Sequence, residues 1–140
     1  MKKVSGAKKG FSVLEIIFAI VILGVIASIA VPKLMSSKND ASLSSIKQDI
    51  RTVTTSVQSY YIVNGSIDKI SDAVTLNSST WNIADKKLEF VEEDVVCVTI
   101  EVTSEDDITT LNITINPDHT GNICSSLKND GFSSQTYDLN

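Results

Sequence analysis

The hydrophobic pattern of the chain begins with a near-continuous apolar run of 21 residues from Phe11 to Val31. A helix of this length crosses a bilayer whose hydrocarbon core is about 30 Å thick. The lysines before the run (Lys2, Lys3, Lys8 and Lys9) outnumber the two that follow it, Lys33 and Lys38. By the positive-inside rule, this pattern predicts one membrane crossing with the N-terminus in the cytoplasm and the remainder outside.

After this run the apolar residues become periodic. They recur at alternating spacings of three and four, at Leu43, Ile46, Ile50, Val53, Val57 and Tyr60. This spacing places them on one face of an amphipathic helix. We therefore predict one long helix from about Phe11 to Val63, ended by Asn64-Gly65, since both residues accept the left-handed conformation that follows a helix.

The second half of the chain has the alternation of β-strands. Strands are predicted over 87–91, 95–102 and 108–115, and the last two form an antiparallel hairpin around a polar loop from Ser104 to Asp107. The apolar face of the hairpin would consist of Val96, Val98, Ile100, Val102, Leu111, Ile113 and Ile115. Residues 66–85 are predicted to be irregular, and 122–140 to be loop with one weak strand. The fold class is α+β: a long N-terminal helix packed on a small antiparallel sheet, the head.

The charge and the cysteine content restrict the possible partners and the cellular compartment. From Asn64 onward the chain has four lysines and fourteen acidic residues, so this part carries a formal charge of about −10. Such a surface repels phosphate, and we expect no direct binding of nucleic acid. The two cysteines, Cys97 and Cys124, suggest one disulfide in an oxidising compartment, the alternative being two buried thiols.

One acid interrupts the apolar run. Glu15 is the fifth residue after the junction Gly10-Phe11, in the stretch KKGFSVLE. A basic leader ending in Gly, then Phe, then Glu at the fifth position resembles the class III signal of type IV pilins and type II secretion pseudopilins. Pro32 also falls where pilins commonly carry a helix-bending proline. The likeness is specific over residues 1–35 and becomes architectural beyond residue 65, giving a pilin-like fold.

The resemblance implies a maturation and assembly route. A prepilin peptidase would cut between Gly10 and Phe11 and methylate the new amine of Phe11; loss of the four leader lysines changes the net charge from −5 to −9. Glu15 would pair with the Phe11 amine of a neighbouring subunit and set the axial step of a filament, because a mismatched step leaves a carboxylate unpaired in an apolar core.

The resulting prediction is a structural subunit and not an enzyme. Its segments would be a leader (1–10), a transmembrane or filament-core helix (11–35), an amphipathic helix (36–63) and a β head (64–140). The subunit would sit in the bacterial inner membrane with its head outside the cytoplasm. An assembly ATPase and a platform protein would then extract it into a periplasmic or surface filament with copies of itself or co-pilins. Protein secretion, DNA uptake and adhesion or motility all remain open.

Two alternatives from other classes also remain open. Ser28 and Ala30 have the small side chains that a Sec signal peptidase requires, and cleavage after Ala30 would release a soluble binding domain. The run could also anchor a module that does not polymerise.

The remaining residues give little indication of a catalytic or metal-binding site. The single histidine, His119, lies in the turn segment NPDHTG and is interpreted as a surface turn residue. We expect no cofactor. Some pseudopilins that resemble this chain hold calcium in the head, and the weak Ca²⁺ candidates are Glu92, Asp94, Asp106 and Asp107.

Overall fold

A computed structural model describes residues 10–140, except the side chains of residues 30–36. Within these residues, three helices and five strands follow one another in the order α1 (Val13–Asn64), α2 (Ile70–Ala73), β1 (Trp81–Ile83), β2 (Lys87–Glu92), β3 (Val95–Glu105), β4 (Ile108–Ile115), α3 (Asn122–Asn129) and β5 (Gln135–Asp138). The long N-terminal helix and the antiparallel sheet confirm the predicted α+β, pilin-like class.

The chain divides into two compact units, the first ending at Lys38 and the second comprising Asn39–Asn140. The long helix α1 contributes to both units. Over the part of the chain that the structure describes, no helix combines the length and the apolar character needed to cross a membrane.

The sheet of the second unit is antiparallel throughout, with its strands in chain order from β1 to β5. Two-residue turns join the central strands: Glu93-Asp94 between β2 and β3, and Asp106-Asp107 between β3 and β4. All four turn residues have positive φ, from 49° to 66°. Short hairpins favour such turns because their twist matches that of the strands, and Asp is among the residues that tolerate the left-handed conformation.

One core fills the second unit, and it contains the predicted helix stripe. Ile46, Ile50, Val53 and Val57 are buried, and Leu43 and Tyr60 are partly buried against them. The sheet contributes Leu88, Phe90, Val98, Ile100, Val102, Leu111, Ile113 and Ile115. The periodicity therefore predicted the helical side of this core correctly.

Strand β3 departs from the prediction at its start. A β-bulge shifts the register between Phe90 and Val91: Phe90 pairs with Val98 but Val91 pairs with Val96. The extra residue is Cys97, which is fully buried, whereas Val96 is only half-buried. Val96 is thus not a core residue, because a bulge breaks the alternation on which the prediction relied. The strand also continues to Glu105, so that only Asp106 and Asp107 of the predicted loop from Ser104 to Asp107 remain as turn residues.

Helix α3 is the main element that the pattern did not predict. It occupies Asn122–Asn129, inside the segment predicted to be loop, and buries Cys124 and Leu127. The predicted weak strand of this segment is β5, which pairs with β4 at the sheet edge. Within 66–85, the short elements α2 and β1 replace part of the predicted irregular chain.

Candidate functional site

The start of α1 holds the candidate assembly residues. Gly10 and Phe11 are exposed, with 81% of the Phe11 surface accessible. The helix begins immediately after Ser12, whose Oγ accepts a hydrogen bond from the Leu14 amide at 3.3 Å. The amides of Glu15 and Ile16 both donate to the Ser12 carbonyl oxygen, at 3.0 and 3.2 Å. Ser12 is therefore the N-cap of the helix.

Glu15 takes part in the same cap. Its Oε2 accepts a long hydrogen bond of 3.4 Å from the Ser12 amide, which is the Glu half of a capping box. The Ser12 hydroxyl accepts the Leu14 amide in place of the Glu15 amide, so the box is not reciprocal. The spacing Ser-x-x-Glu is the sequence signal for this arrangement, and it was available in SVLE. The carboxylate is thus oriented toward the N-terminal end of α1, where the helix dipole also favours a negative charge.

The helix surface that follows is apolar on every side. All large apolar side chains from Phe11 to Ile29 are exposed, with accessible fractions between 43% for Ile22 and 81% for Phe11. Water-soluble monomers rarely expose a continuous patch of this size, and such patches mark contact with a membrane or another protein.

Two residues of the sequence hypotheses follow in the same helix. Ser28 bonds its hydroxyl to the Val25 carbonyl oxygen at 2.8 Å, a local contact within α1. Pro32 lies in α1, but its side chain falls outside the described residues, so the kink stays a prediction. Cleavage, methylation and ion pairing also stay predictions.

In the head, the structure joins Cys97 to Cys124 in a disulfide with 5.8 Å between the Cα atoms. Both cysteines are completely buried. The bond links the bulge of β3 to the first turn of α3. It therefore fixes the C-terminal segment to the sheet.

Glu92 strengthens the same connection from β2. Its Oε1 accepts the Ile123 amide at 2.9 Å and its Oε2 accepts the Cys124 amide at 3.0 Å. These are amides of the first turn of α3, which have no partner inside the helix. The Glu92 carboxylate therefore caps α3 from a residue about thirty positions earlier, and it does so across the fold instead of through a local motif.

The interpretation of His119 as a surface turn residue is wrong, because only 5% of its surface is exposed. Its Nδ1 accepts the Gly121 amide at 2.9 Å, which leaves Nε2 to carry the proton. Nε2 faces the carbonyl oxygens of Glu92 at 2.9 Å and Val95 at 3.2 Å. The ring thus binds the segment before α3 to the β2–β3 turn.

The Ca²⁺ candidates have other structural roles. Glu92 uses both carboxylate oxygens on α3, while Asp94, Asp106 and Asp107 occupy the hairpin turns. In the described range, no group of three or more His, Cys, Asp or Glu side chains is arranged to hold a metal ion. Calcium binding at these positions stays a prediction.

Known proteins provide a comparison for the chain. It is 36% identical over 58 residues to the type II secretion system core protein G of Klebsiella michiganensis. It is 40% identical over 57 residues to the protein of that name from Pectobacterium carotovorum, and 33% identical over 57 residues to that from Pseudomonas aeruginosa.

Each of these matches covers 41% of the chain and between 36% and 41% of the relative. The chain thus spans about two fifths of the length of the curated relatives it matches. No protein-family model matches it, and no solved structure matches it significantly. The similarities support the resemblance to the pilin and pseudopilin family.

Proposed function

We propose that this chain is a structural subunit of a type II secretion filament, a pseudopilin, and that it has no catalytic activity. The observation that carries the proposal is the uncovered apolar surface at the start of α1, from Phe11 to Ile29. The similarity to core protein G of type II secretion systems favours secretion over DNA uptake or adhesion.

The exposed apolar surface must be buried away from water. Burial of one large apolar side chain contributes about 1.5–3 kcal/mol relative to exposure in water. A helix that exposes such side chains on all sides is stable only inside lipid or among other helices. A pseudopilin uses both environments in turn: the precursor helix lies in the inner membrane, and in the filament the neighbouring helices replace the lipid.

Processing of the precursor would prepare the same segment for assembly. Cleavage by a prepilin peptidase after Gly10 leaves a new amine on Phe11, four residues before Glu15. The hydrogen bond from the Ser12 amide already directs the Glu15 carboxylate toward this end of the helix. In a filament, that carboxylate would pair with the amine of a neighbouring subunit. An apolar core makes an unpaired charge costly, so the pair would select one axial step.

The partners follow from this route. The subunit would bind copies of itself or co-pilins, and it would be extracted by a platform protein and an assembly ATPase. Its head would lie outside the cytoplasm, which agrees with a disulfide in an oxidising compartment.

Glu15→Gln tests the proposed ion pair. The glutamine keeps a side-chain oxygen that accepts the Ser12 amide, but it removes the negative charge. We expect normal cleavage and N-methylation and a loss of most filaments, as for Glu15→Ala, when sheared filaments are quantified by immunoblot and electron microscopy. Ser28→Ala is the matched control in the same apolar segment and should assemble normally. Wild-type filament yield from Glu15→Gln would contradict the ion pair and leave only the capping role.

A further inference from the structure

The loop 116–121, between β4 and α3, is organised around a lysine ammonium group. Lys128 lies in the last turn of α3 and is half-buried. Its Nζ donates to the carbonyl oxygen of Pro117 at 2.8 Å and to that of His119 at 2.7 Å. An ammonium group has three N–H donors and no acceptor, so two of the three are used within this loop.

Convergent backbone carbonyls are also what a calcium loop provides. Ca²⁺ takes six to eight oxygen ligands at about 2.3–2.6 Å, and carboxylates supply several of them. In this loop, the carbonyl oxygens of Pro117 and His119 already face a positive charge, which repels a second cation. The nearby carboxylate of Glu92 uses both oxygens on the amides of α3. The residues around the loop therefore do not fit Ca²⁺.

The other contacts of the loop are also made within the protein. Asn116 donates its side-chain amide to the Val96 carbonyl oxygen at 3.1 Å and accepts the Asp118 amide at 3.1 Å. His119 binds the carbonyl oxygens of the β2–β3 turn. These contacts hold Asn116 and the His119 side chain against the sheet, while Lys128 binds the carbonyl oxygens of Pro117 and His119 from α3.

We propose that the Lys128 ammonium group, and not a metal ion, organises this loop of the head. It holds loop 116–121 against α3, and the head folds and keeps this loop ordered without calcium. Lys128 is a positioning residue: it fixes the surface that the loop presents.

The test uses the full chain in detergent micelles. Thermal unfolding is followed by the fluorescence of Trp81, the one tryptophan, which is 1% exposed. The wild-type chain should have the same Tm in millimolar CaCl₂ and in EDTA. Lys128→Met, which keeps the length but not the charge, should lower Tm by about 5 °C or more. It should also raise the hydrogen-exchange rates of the loop amides about tenfold. Lys128→Arg, which keeps a cationic donor, should stay closer to wild type in both measurements.

A rise in the wild-type Tm with CaCl₂ over EDTA would overturn the proposal, as would unchanged loop exchange in Lys128→Met. If Lys128→Met does not fold, the comparison of wild type in CaCl₂ and EDTA decides alone. Because none of these measurements requires filaments, their outcome is independent of the proposed assembly function.

Discussion

Gly121 is the position at which the smallest added group should disturb the head most. It lies immediately before α3, with φ −56° and ψ 154°, a backbone conformation open to other residues. A Cβ atom added there would lie 2.3 Å from Oε2 of Glu92 and 2.5 Å from Cε1 of His119. Gly121→Ala therefore tests packing around these two side chains, with no contribution from backbone strain.

The expected cost follows from what must move. If the Glu92 carboxylate shifts, its bonds to the Ile123 and Cys124 amides lengthen; if the loop shifts, the bonds of His119 are lost. Overpacking typically costs about 1–3 kcal/mol, and loss of a helix cap adds about 1 kcal/mol. We expect Gly121→Ala to lower the free energy of unfolding by about 2–4 kcal/mol.

A double-mutant cycle identifies the atoms responsible. Glu92→Ala removes the carboxylate, so Gly121→Ala should cost about 1–2 kcal/mol less in that background than alone. The free energies come from urea unfolding followed by Trp81 fluorescence. Asn129→Ala, an exposed change in the same helix, is the control and should stay within about 0.5 kcal/mol of wild type. A cost of Gly121→Ala below that limit, or full additivity with Glu92→Ala, would refute the described packing.

Two further predictions concern the core and the disulfide. Ile100→Ala, at a side chain that is 0% exposed, should lower the free energy of unfolding by about 2–5 kcal/mol in the same urea assay. Ile62→Ala, at a side chain that is 79% exposed, should lower it by less than about 0.5 kcal/mol. Equal costs for the two variants would contradict the assigned core. Reduction of Cys97–Cys124, which are 27 residues apart, should lower the free energy of unfolding by about 3–4 kcal/mol, measured with and without a phosphine reductant. An unchanged urea midpoint would show that the bond does not constrain the unfolded chain.

The parts of the fold with a local signal were predictable from the sequence. The stripe from Leu43 to Tyr60 has a clear helical period, and the prediction of α1 differs from the structure by two residues at its start and one at its end. Strand β4 has the predicted bounds because its alternation is undisturbed. Local periodicity determines these elements, and the shared core then fixes their packing.

The C-terminal connection depends on residues far apart in the chain, which explains why the pattern did not predict it. Helix α3 has eight residues, too few to be stable alone, and it depends on the Glu92 cap and the disulfide. His119 is buried by contacts with residues about 25 positions earlier. By contrast, the N-terminal cap that Ser12 and Glu15 form on α1 is a local signal and could have been recognised in the sequence.

Mass spectrometry of the native N-terminus tests the central claim most directly. The protein should be isolated from membranes and sheared filaments of its own cells, digested, and searched for its first peptide. Our account predicts a chain that starts at Phe11 with an N-methylated amine in both fractions. A chain that retains residues 1–10, or one that starts at Val31, would contradict the proposal that this is a processed filament subunit.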